Sequence, residues 1–326
     1  MLPKPSYTIG IPVYKRIFGF EEALRSALDV DGCTEVVVCD DGSGHDEFKI
    51  ICESVNDPRV KYHLNDVNLG LFGNWNNCIQ IAQGEFVSIL CSDDLIAPSA
   101  YESFYEAYNN HPDIDVFFGH FTTFTDSLEA TRTSRTYKPG YMTGEELIID
   151  GAINGVTFPV LTISKRSTLL RFPFVDKPHS GNDWLWIYGN ARNFKLFAAD
   201  KTINYWRRHD DQDAAKSQSI TTDCWPMMYM LMAKQLKQYN NSLYKKAALR
   251  AEGVVLGWLL NDRASNSNYW VTRFNSAEAH DNIFLKEAVG IINNNWLLRG
   301  LLKKSDSFFF DKIGRIARKF GFYPSK

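Results

Sequence analysis

The amino-acid sequence predicts an α/β protein with a mostly parallel central sheet flanked by helices. Short apolar runs typical of strands occur at Tyr7–Val13, Glu35–Cys39 and Phe86–Leu90, and segments with helical spacing separate them. Alternation of strand and helix predicts parallel strands joined by right-handed crossovers. A pair of adjacent aspartates follows the second run directly and the third run closely. Such sheets bind ligands at the carboxyl ends of their strands, so these acidic pairs mark the predicted site.

Each further element follows from its local pattern. Within Phe20–Leu28, apolar residues recur at the spacing of one helix face. A helix at Phe72–Ala82 is predicted to stop at Gly84, a residue type common at helix C-termini. The other predicted elements are a helix at Phe48–Val55, a strand at Val60–Leu64, a helix at Pro98–Asn110, a strand at Val116–Phe121, a connection at 125–140, a strand at Phe158–Ser164, a helix at Asp183–Arg192 and one or two strands within Lys195–Arg208.

A change of pattern near residue 220 divides the chain. Residues 1–220 carry the strand–helix alternation and form the predicted α/β domain. From Thr221 onward the pattern is helical almost throughout, with a Met-rich segment at Pro226–Leu236. We therefore expect a C-terminal, mostly helical region at 221–326.

The composition narrows the class of protein. The chain of 326 residues is 44% hydrophobic and 23% charged, with a formal net charge of −2, which argues against a general nucleic-acid binder. Six cysteines occur without Cys-x-x-Cys spacing, several of them inside apolar runs, which favours reduced, buried thiols. The N-terminus lacks the pattern of a secretory signal, and no apolar run approaches the about 20 residues that span a bilayer. The predicted location is the cytoplasm or the inner face of the cytoplasmic membrane.

Asp93 and Asp94 follow the strand Phe86–Leu90 and repel each other unless a cation or a hydrogen-bond donor lies beside them. Oxygen-rich sites of this kind suit Mg²⁺ or Mn²⁺ held together with substrate phosphates. A solvated Asp–Asp turn is the alternative interpretation.

Two other strand ends carry residues suited to a nucleoside. Pro12 and Tyr14 make a rim at the end of the first strand on which a base could stack, although an ordinary strand-to-helix connection has the same pattern. Asp40 and Asp41 precede a Gly–Ser turn and could accept hydrogen bonds from a pyrimidine imide or a ribose hydroxyl. A helix cap or an Asx turn would explain one of these aspartates but hardly both.

Five motifs in the first hundred residues together resemble glycosyltransferase family 2, in order and in approximate spacing. They are Ile9–Tyr14 (IGIPVY), Val36–Ser43 (VVVCDDGS), Asn68–Gly70 with Asn74–Asn76 (NWN), Ala82–Phe86 (AQGEF) and Ser92–Asp94 (SDD). The resemblance implies a GT-A (Rossmann-like) fold, inversion at the anomeric carbon and a nucleotide-diphosphate sugar donor. A UDP-sugar is favoured, with GDP- and dTDP-sugars as alternatives. It also implies a Mn²⁺ or Mg²⁺ cofactor, a nucleotide-sugar half at about 1–122 and an acceptor half at about 123–220.

The resemblance also assigns roles to individual residues. Asp93 would contact the ribose or the sugar, and Asp94 would bind the metal that bridges the diphosphate. The residues implied in donor binding are Pro12, Tyr14, Arg16, Asp40, Asp41, Asn68, Asp93, Arg207 and Arg208.

Two positions depart from the family pattern. Many members carry Asp where this chain has Cys91, and a cysteine is a poor ligand for Mg²⁺ or Mn²⁺. The common Ala-Arg-Asn of the middle helix is Asn74-Trp75-Asn76 here, so an arginine that would reach the donor is missing. Without a third carboxylate, Asp94 has to supply the aspartate share of metal binding.

Asp183 is the candidate catalytic base. An inverting transfer needs a carboxylate that takes the proton from the acceptor hydroxyl. Asp183 stands at a predicted helix start, where the family usually has Glu–Asp or a variant of it. An aspartate in a first helical turn also interacts favourably with the helix dipole, which would explain it without catalysis. That dipole is expected to lower its pKa and so to make it a weaker base.

The segment after the last predicted strand carries cationic side chains. Alternation along the strand puts Arg207 and His209 on one face and Arg208 on the other. A histidine beside an arginine suits a metal and a diphosphate leaving group, and similar segments in the family place the histidine near the metal. We therefore expect His209 to assist Asp94 as a metal ligand; a surface histidine without such a role is the alternative.

The C-terminal segment 307–326 has the pattern of a basic amphipathic helix. Such a helix could contact an anionic membrane, pack on the catalytic domain or join the subunits of a homo-oligomer. The chain is thus predicted to be a metal-dependent inverting glycosyltransferase acting on a glycan or lipid-linked acceptor, in cell-surface polysaccharide assembly such as O-antigen or capsule. A nucleotidyltransferase and a catalytically inactive nucleotide-sugar or glycan-binding module are the alternatives.

Overall fold

A computed structural model describes residues 2–125, 127–128, 132–133, 137–156, 158–159, 161–175, 181–209 and 221–264. The chain forms two compact units. The first comprises Met1–Gly144, Thr157–Trp186 and Asn190–Ser217, and the second Glu145–Val156, Ile187–Gly189 and Gln218–Lys326.

The strands form one sheet in the order β3-β2-β1-β4-β9-β6-β10-β5, with β7 beside β6 and β8 beside β10. Their bounds are β1 Tyr7–Val13, β2 Cys33–Asp40, β3 Val60–Leu64, β4 Phe86–Ile89, β5 Leu95–Ile96, β6 Val116–Phe124, β7 Arg132–Thr133, β8 Gly140–Met142, β9 Ile163–Lys165 and β10 Leu196–Arg207. The helices are α1 Phe20–Leu28, α2 Glu47–Val55, α3 Leu71–Ile81, α4 Ala100–Asn110, α5 Gly144–Asn154, α6 Arg166–Arg171, α7 Asn182–Asn190, α8 Thr221–Lys237 and α9 Ser242–Ala264.

The strands that precede the acidic turns are parallel, as the alternation of elements predicts. β1 pairs in parallel with both β2 and β4, and β2 pairs in parallel with β3. The parallel pair β6 and β10 is joined to them through β9, which runs antiparallel to both β4 and β6. The predicted α/β class, with a large central sheet, flanking helices and a helical C-terminal region, is confirmed.

Helix α1 illustrates why the flanking helices form. Its apolar face, Phe20, Ala23, Leu24 and Ala27, is completely buried against the sheet, and its two glutamates lie in the first turn, where they favour the helix dipole. The helix starts after Gly19, which has a φ of 80° and lies close to Asp93. A side chain at position 19 would be strained by that φ and would also crowd the Asp93 main chain.

The sequence prediction for the middle of the chain is partly wrong. The strand predicted at Phe158–Ser164 is only the short β9 at Ile163–Lys165. Pro159 has no N–H to donate to a ladder, and the Phe158 carbonyl accepts a hydrogen bond from the Trp184 indole instead. Helix α5 and strand β8 were not predicted, because Gly144 and Gly151 weaken the helical pattern of this segment.

The second unit is helical where it is described. Buried methionines and alanines of α8 and α9 form its apolar interior, and Lys237 pairs with the shielded carboxylate of Glu252. None of the described helices has both the length and the hydropathy to cross a bilayer. The segment 307–326, for which a membrane, core or subunit contact is predicted, lies outside the described residues.

Candidate active site

The two acidic turns lie at the same edge of the sheet. β1 is the central partner of β2 and β4, with Val13 opposite Asp40 and Gly10 opposite Ile89. Because the three strands are parallel, the loops after them emerge side by side at their carboxyl ends. The loops after β1, β2 and β4 therefore build one site.

Asp40 holds the turn after β2. Its Oδ1 accepts hydrogen bonds from the Ser43 N–H at 2.9 Å and the Ser43 hydroxyl at 2.6 Å, and its Oδ2 accepts one from the Tyr62 hydroxyl at 2.8 Å. The Ser43 hydroxyl oxygen in turn accepts a hydrogen bond from the Lys15 N–H at 2.8 Å. Asp40, which is completely buried, thus fixes the turn after β2 against the loop after β1.

Asp41 organises the loop that leads into α3. Its carboxylate accepts hydrogen bonds from the main-chain N–H groups of Leu69 at 2.7 Å and Gly70 at 2.9 Å, and from the Asn65 amide at 2.9 Å. The Asn68 amide donates to the Asp41 carbonyl at 2.9 Å. A buried anion at the start of a helix is favourable, so Asp41 and Asn68 together position this end of α3.

The loop after β1 presents an exposed aromatic ring. Pro12 pairs with Cys39 in the sheet, and Tyr14 beyond it is 46% exposed, with the Lys15 ammonium 4.8 Å from its ring centre. Lys15 has a φ of 58°, a left-handed conformation that is uncommon outside glycine, and its N–H and carbonyl are held by Ser43 and His45. The predicted rim is therefore a fixed turn rather than a loose connection.

Asp93 contacts the side chains of an arginine and a histidine. Its Oδ2 accepts a hydrogen bond from Arg16 Nη2 at 2.7 Å and lies 3.0 Å from His209 Nε2. The His209 ring also packs edge-on against Phe18. The structure thus brings together residues from the loop after β1, the turn after β4 and the segment after β10.

Asp94 is held differently. It is 4% exposed, and its Oδ1 accepts a hydrogen bond from the Arg207 N–H at 2.9 Å. Burial, and then the charge of Asp93, raise the pKa of Asp94 well above its usual range. Among the described residues, no donor contacts its Oδ2, so this carboxylate carries the least compensated negative charge of the two acidic pairs.

The two arginines after β10 have different surroundings. Arg207 is buried, donates from Nε to the Asp93 carbonyl at 2.9 Å and from Nη2 to Glu22, and packs on the ring of Phe124. Arg208 is exposed and stacks on Trp206, on the other side of the strand as alternation predicts. Arg207 therefore supports the Asp93–Asp94 turn, whereas Arg208 keeps its guanidinium at the surface.

Asp183 lies in the first turn of α7 and close to Cys91. The negative charges of Asp94, Asp93 and Asp183, after burial, all raise the pKa of the Cys91 thiol. Burial raises the pKa of Asp183 to about 6, although hydrogen bonds from the main-chain N–H groups of Trp184 and Asp183 lower it. The expectation that the helix N-terminus lowers the pKa of Asp183 is wrong in its net direction, because desolvation outweighs the helix.

Two residues of the site were missed by sequence reasoning. Glu22 reads as a solvent-facing residue of an amphipathic helix, and Phe18, which is 54% exposed, reads as an ordinary loop residue. Their partners, His209 for Phe18 and Arg207 for both, stand far along the chain. No local pattern in the sequence could have found either contact.

The donor groups suit a divalent cation shared with phosphates better than an all-protein metal site. Within the described part of the chain, no group of three or more His, Cys, Asp or Glu side chains is arranged to hold a metal. Mg²⁺ and Mn²⁺, however, are often held by one or two carboxylates while substrate phosphates and water complete the shell. The raised pKa of Asp94 is the condition that a bound cation would relieve.

The fold is the GT-A fold. The model resembles the crystal structure of TarS residues 1–349 from S. aureus with a TM-score of 0.65 at 17% identity, covering 97% of this chain and 91% of that one. A crystal structure of the same TarS fragment in complex with UDP-GlcNAc matches with a TM-score of 0.60 at 18% identity, over 97% of this chain and 91% of that one. At this level of identity the likeness concerns the fold alone.

Residues 8–169 match the family model Glycosyl transferase family 2. Through this domain the chain belongs to that family, as the five motifs indicate. It is 32% identical over 109 residues to a Campylobacter jejuni GalNAc(5)-diNAcBac-PP-undecaprenol beta-1,3-glucosyltransferase, covering 32% of this chain and 35% of the relative. It is 36% identical over 95 residues to the succinoglycan biosynthesis protein ExoO of Rhizobium meliloti, covering 29% of this chain and 27% of the relative. The matched part of the chain thus spans about a third or less of these relatives.

Proposed function

We propose that the protein transfers one sugar, with inversion, from a nucleotide-diphosphate donor to a glycan or lipid-linked acceptor. The observation that carries the proposal is the Asp93–Asp94 turn. It stands at the carboxyl end of β4, where Arg16 and His209 contact Asp93 and where burial and the charge of Asp93 raise the pKa of Asp94. The charge of Asp183 reaches the Cys91 thiol beside this turn. Asp94 can bind a cation that accompanies an anionic leaving group, and Asp183 can serve as a base.

A UDP-sugar is the donor that we favour. The supporting observations are the exposed Tyr14 ring on a fixed turn and the crystal complexes of the similarly folded TarS fragment with UDP and UDP-GlcNAc. Tyr14 would stack on the base above Pro12. Asp40 and Asp41 would act mainly by holding the surrounding loops, since their oxygens already accept hydrogen bonds from the protein.

Asp94 and His209 would hold Mn²⁺ or Mg²⁺ together with the diphosphate of the donor. When bound, the cation supplies positive charge to the departing nucleotide diphosphate. His209 now contacts Asp93 through Nε2, so that nitrogen would have to exchange the Asp93 carboxylate for the metal. Arg16 stays hydrogen-bonded to Asp93 in that case.

Asp183 would act as the general base. It takes the proton of the acceptor hydroxyl while the acceptor oxygen bonds to the anomeric carbon and the bond from that carbon to the diphosphate oxygen breaks. A pKa of about 6 suits this role, because the carboxylate is ionised at neutral pH yet more basic than an exposed aspartate. Attack opposite to the leaving group gives inversion.

The acceptor and the pathway are proposed on the names of the relatives. One relative is named for transfer to an undecaprenol-linked glycan and another for succinoglycan biosynthesis. We therefore propose a role in bacterial-type surface polysaccharide assembly, with an acceptor that is a growing glycan, free or lipid-linked.

Release of nucleotide from a donor panel tests the proposal. Full-length protein is incubated with UDP-, GDP- and dTDP-sugars in Mn²⁺, in Mg²⁺ and in a chelator, with and without glycan and undecaprenol-linked acceptors. We expect metal-dependent release of UDP that an acceptor accelerates. Exchange of pyrophosphate into the donor would instead indicate a nucleotidyltransferase, and binding without release under every condition would indicate an inactive binding module.

A further inference from the structure

The chain segment just before helix α7 is tied to helix α3 by one side chain. The Asn76 amide donates from Nδ2 to the Phe174 carbonyl at 2.8 Å, and its Oδ1 accepts the Phe174 N–H at 3.0 Å. Asn76 therefore pairs with Phe174 as a neighbouring strand would, using both halves of its amide. Two hydrogen bonds in this geometry fix both the position and the direction of the main chain at residue 174.

Aromatic packing strengthens the same connection. The Phe174 ring packs against Trp75 of α3 with ring centres 5.3 Å apart, and against Trp186 of α7 with ring centres 5.0 Å apart. Aromatic pairs at such distances add to the free energy of simple burial. Phe174 thus links α3 to α7, the helix that carries Asp183.

Further hydrogen bonds carry this fixation into α7. The Asn182 amide donates to the Val175 carbonyl, and the Trp186 indole N–H donates to the Phe172 carbonyl. Asn182 is completely buried and directly precedes Asp183. The first turn of α7 is therefore bound to the segment 172–175 that Asn76 holds.

A second attachment lies at the other end of α3. Arg166 donates from Nε to the Ile79 carbonyl at 3.0 Å and from Nη2 to the Gln80 carbonyl at 2.7 Å. These carbonyls belong to the last turn of α3, where a cation is favourable. The chain from residue 166 to 175 is thus fixed along α3 at two points, Arg166 and Phe174, and Phe174, which Asn76 holds, is the nearer of the two to Asp183 in sequence.

We infer that Asn76 is a positioning residue for the catalytic base: it holds the segment 172–175, and through it the first turn of α7, so that Asp183 stays half-buried beside Cys91. The inference rests on the proposed function. It also gives a role to the last asparagine of the Asn74-Trp75-Asn76 segment, which lies on α3 and pairs with the main chain of Phe174.

The environment of Asp183 makes the role measurable. The charge of Asp183 reaches the Cys91 thiol and, with burial and the charges of Asp94 and Asp93, raises its pKa, so the thiol is uncharged at neutral pH. Burial is the cause that keeps the pKa of Asp183 near 6. Loss of the Asn76–Phe174 hydrogen bonds would admit water to Asp183. The pKa of Asp183 would then fall toward that of an exposed aspartate, about 3.9.

The test compares Asn76→Ala with wild type in three measurements on the full chain: hydrogen exchange at the Phe174 amide, donor affinity, and the pH profile of kcat/KM for the acceptor. We expect faster exchange at Phe174 and a donor Kd within about twofold of wild type. We expect kcat/KM to fall about 10- to 100-fold, because displacing a reacting group by about 1 Å has effects of that size. The acid limb of the profile should move to lower pH.

Asn77→Ala is the matched control, since Asn77 follows on the same helix but donates to Asn65 instead of Phe174. Its acid limb and its exchange at Phe174 should equal those of wild type. If Asn76→Ala does not fold, Asn76→Gln replaces it; the longer amide cannot make both hydrogen bonds without moving Phe174, so the same shifts are expected at smaller size.

Two results would overturn the inference. One is unchanged exchange at Phe174 in the Asn76 variant; the other is a fall in kcat/KM with the acid limb unmoved, which a purely structural role would give. A wild-type protein that transfers no sugar from any donor would refute the proposed function, and the base-positioning role with it. If wild type transfers sugar and the Asn76 variant has the same exchange at Phe174 and the same pH profile, the inference alone is refuted.

Discussion

The acidic pairs after β2 and after β4 look alike in sequence but differ in their surroundings. Asp40 and Asp41 accept hydrogen bonds from main-chain N–H groups, a hydroxyl pair and an amide, so their charge is compensated by loops of the same domain. Asp93 and Asp94 instead contact Arg16, His209 and Arg207, which lie far away in the sequence, and the charge of Asp93 disfavours that of Asp94. The first pair builds the site, and the second pair carries the charge that the site can use.

Hydrogen bonding and burial distinguish a carboxylate that holds loops in place from one that can bind a ligand. A buried carboxylate whose lone pairs are filled by main-chain donors is stable as an anion and has little left to offer a ligand. A buried carboxylate whose pKa is pushed up by desolvation and a like charge is strained electrostatically and gains from a cation. Four substitutions test this distinction and the roles of the neighbouring residues. They follow in order of decreasing expected effect.

Replacing Asp94 by Asn should have the largest effect on activity. We expect transfer to fall by about 1000-fold or more, because a preorganised charge at the leaving group is lost. The melting temperature should stay equal or rise, since the repulsion with Asp93 disappears. The rate of nucleotide release from the donor in Mn²⁺ checks the first expectation, and thermal unfolding of the same preparation checks the second. A variant with undiminished turnover would refute the metal role of Asp94.

Replacing Asp183 by Asn should remove transfer but keep the donor. We expect a loss of about 100- to 1000-fold in kcat, the size of general-base catalysis, with a donor Kd near wild type. In wild type, kcat/KM for the acceptor should decline as the pH falls through about 6, where Asp183 becomes protonated and cannot accept a proton. Calorimetric donor titration and a series of pH values from about one unit below to about one unit above this pKa check the expectation. An Asp183→Asn enzyme of wild-type rate would end the base assignment.

Replacing Asp41 by Asn should act on stability rather than on the chemical step. The new amide would direct its NH₂ group at donors that Asp41 now accepts from, so we expect the free energy of unfolding to fall by about 3 kcal/mol. Urea unfolding measures the change, provided that the slope of the free energy of unfolding against urea concentration is the same in both proteins. Asp94→Asn serves as the contrast: if both variants lost equal stability, the distinction between the two pairs would be wrong.

Replacing Cys91 by Ser should have the smallest effect. The raised pKa of Cys91 keeps the thiol protonated, so it is a poor nucleophile at neutral pH. A thiol is also a poor ligand for Mg²⁺ or Mn²⁺. We expect kcat and metal affinity within about threefold of wild type, as for an inert buried thiol. Steady-state kinetics over a Mn²⁺ titration test this, and a large loss of metal affinity would assign the thiol a direct role.

The strands and helices in the first hundred residues were largely predictable because each of them has a clear local apolar pattern. The predicted strands β1, β2 and β4 and helices α1 and α3 agree with the structure to within a few residues, since their apolar periodicity reports directly on burial. The segment from 140 to 165 was not predictable in the same way. Its short strands β8 and β9 depend on antiparallel partners that the local pattern does not encode.

The site divides along the same line. Sequence alone determined that acidic turns at strand ends would share one edge of a sheet, because parallel strands place their carboxyl ends together. It also picked out Arg16, Asp93, Asp94, Arg207 and His209, which the structure brings into one cluster.

Which of the four aspartates has the least compensated charge depends on the tertiary structure. Arg16 and His209 reach Asp93 across 77 and 116 residues of chain, and Arg207 reaches Asp94 across 113. The raised pKa of Asp94 depends on burial and on the charge of Asp93, which are properties of the folded chain. The helix position of Asp183 suggested a lowered pKa, but its burial beside Cys91 reversed the sign.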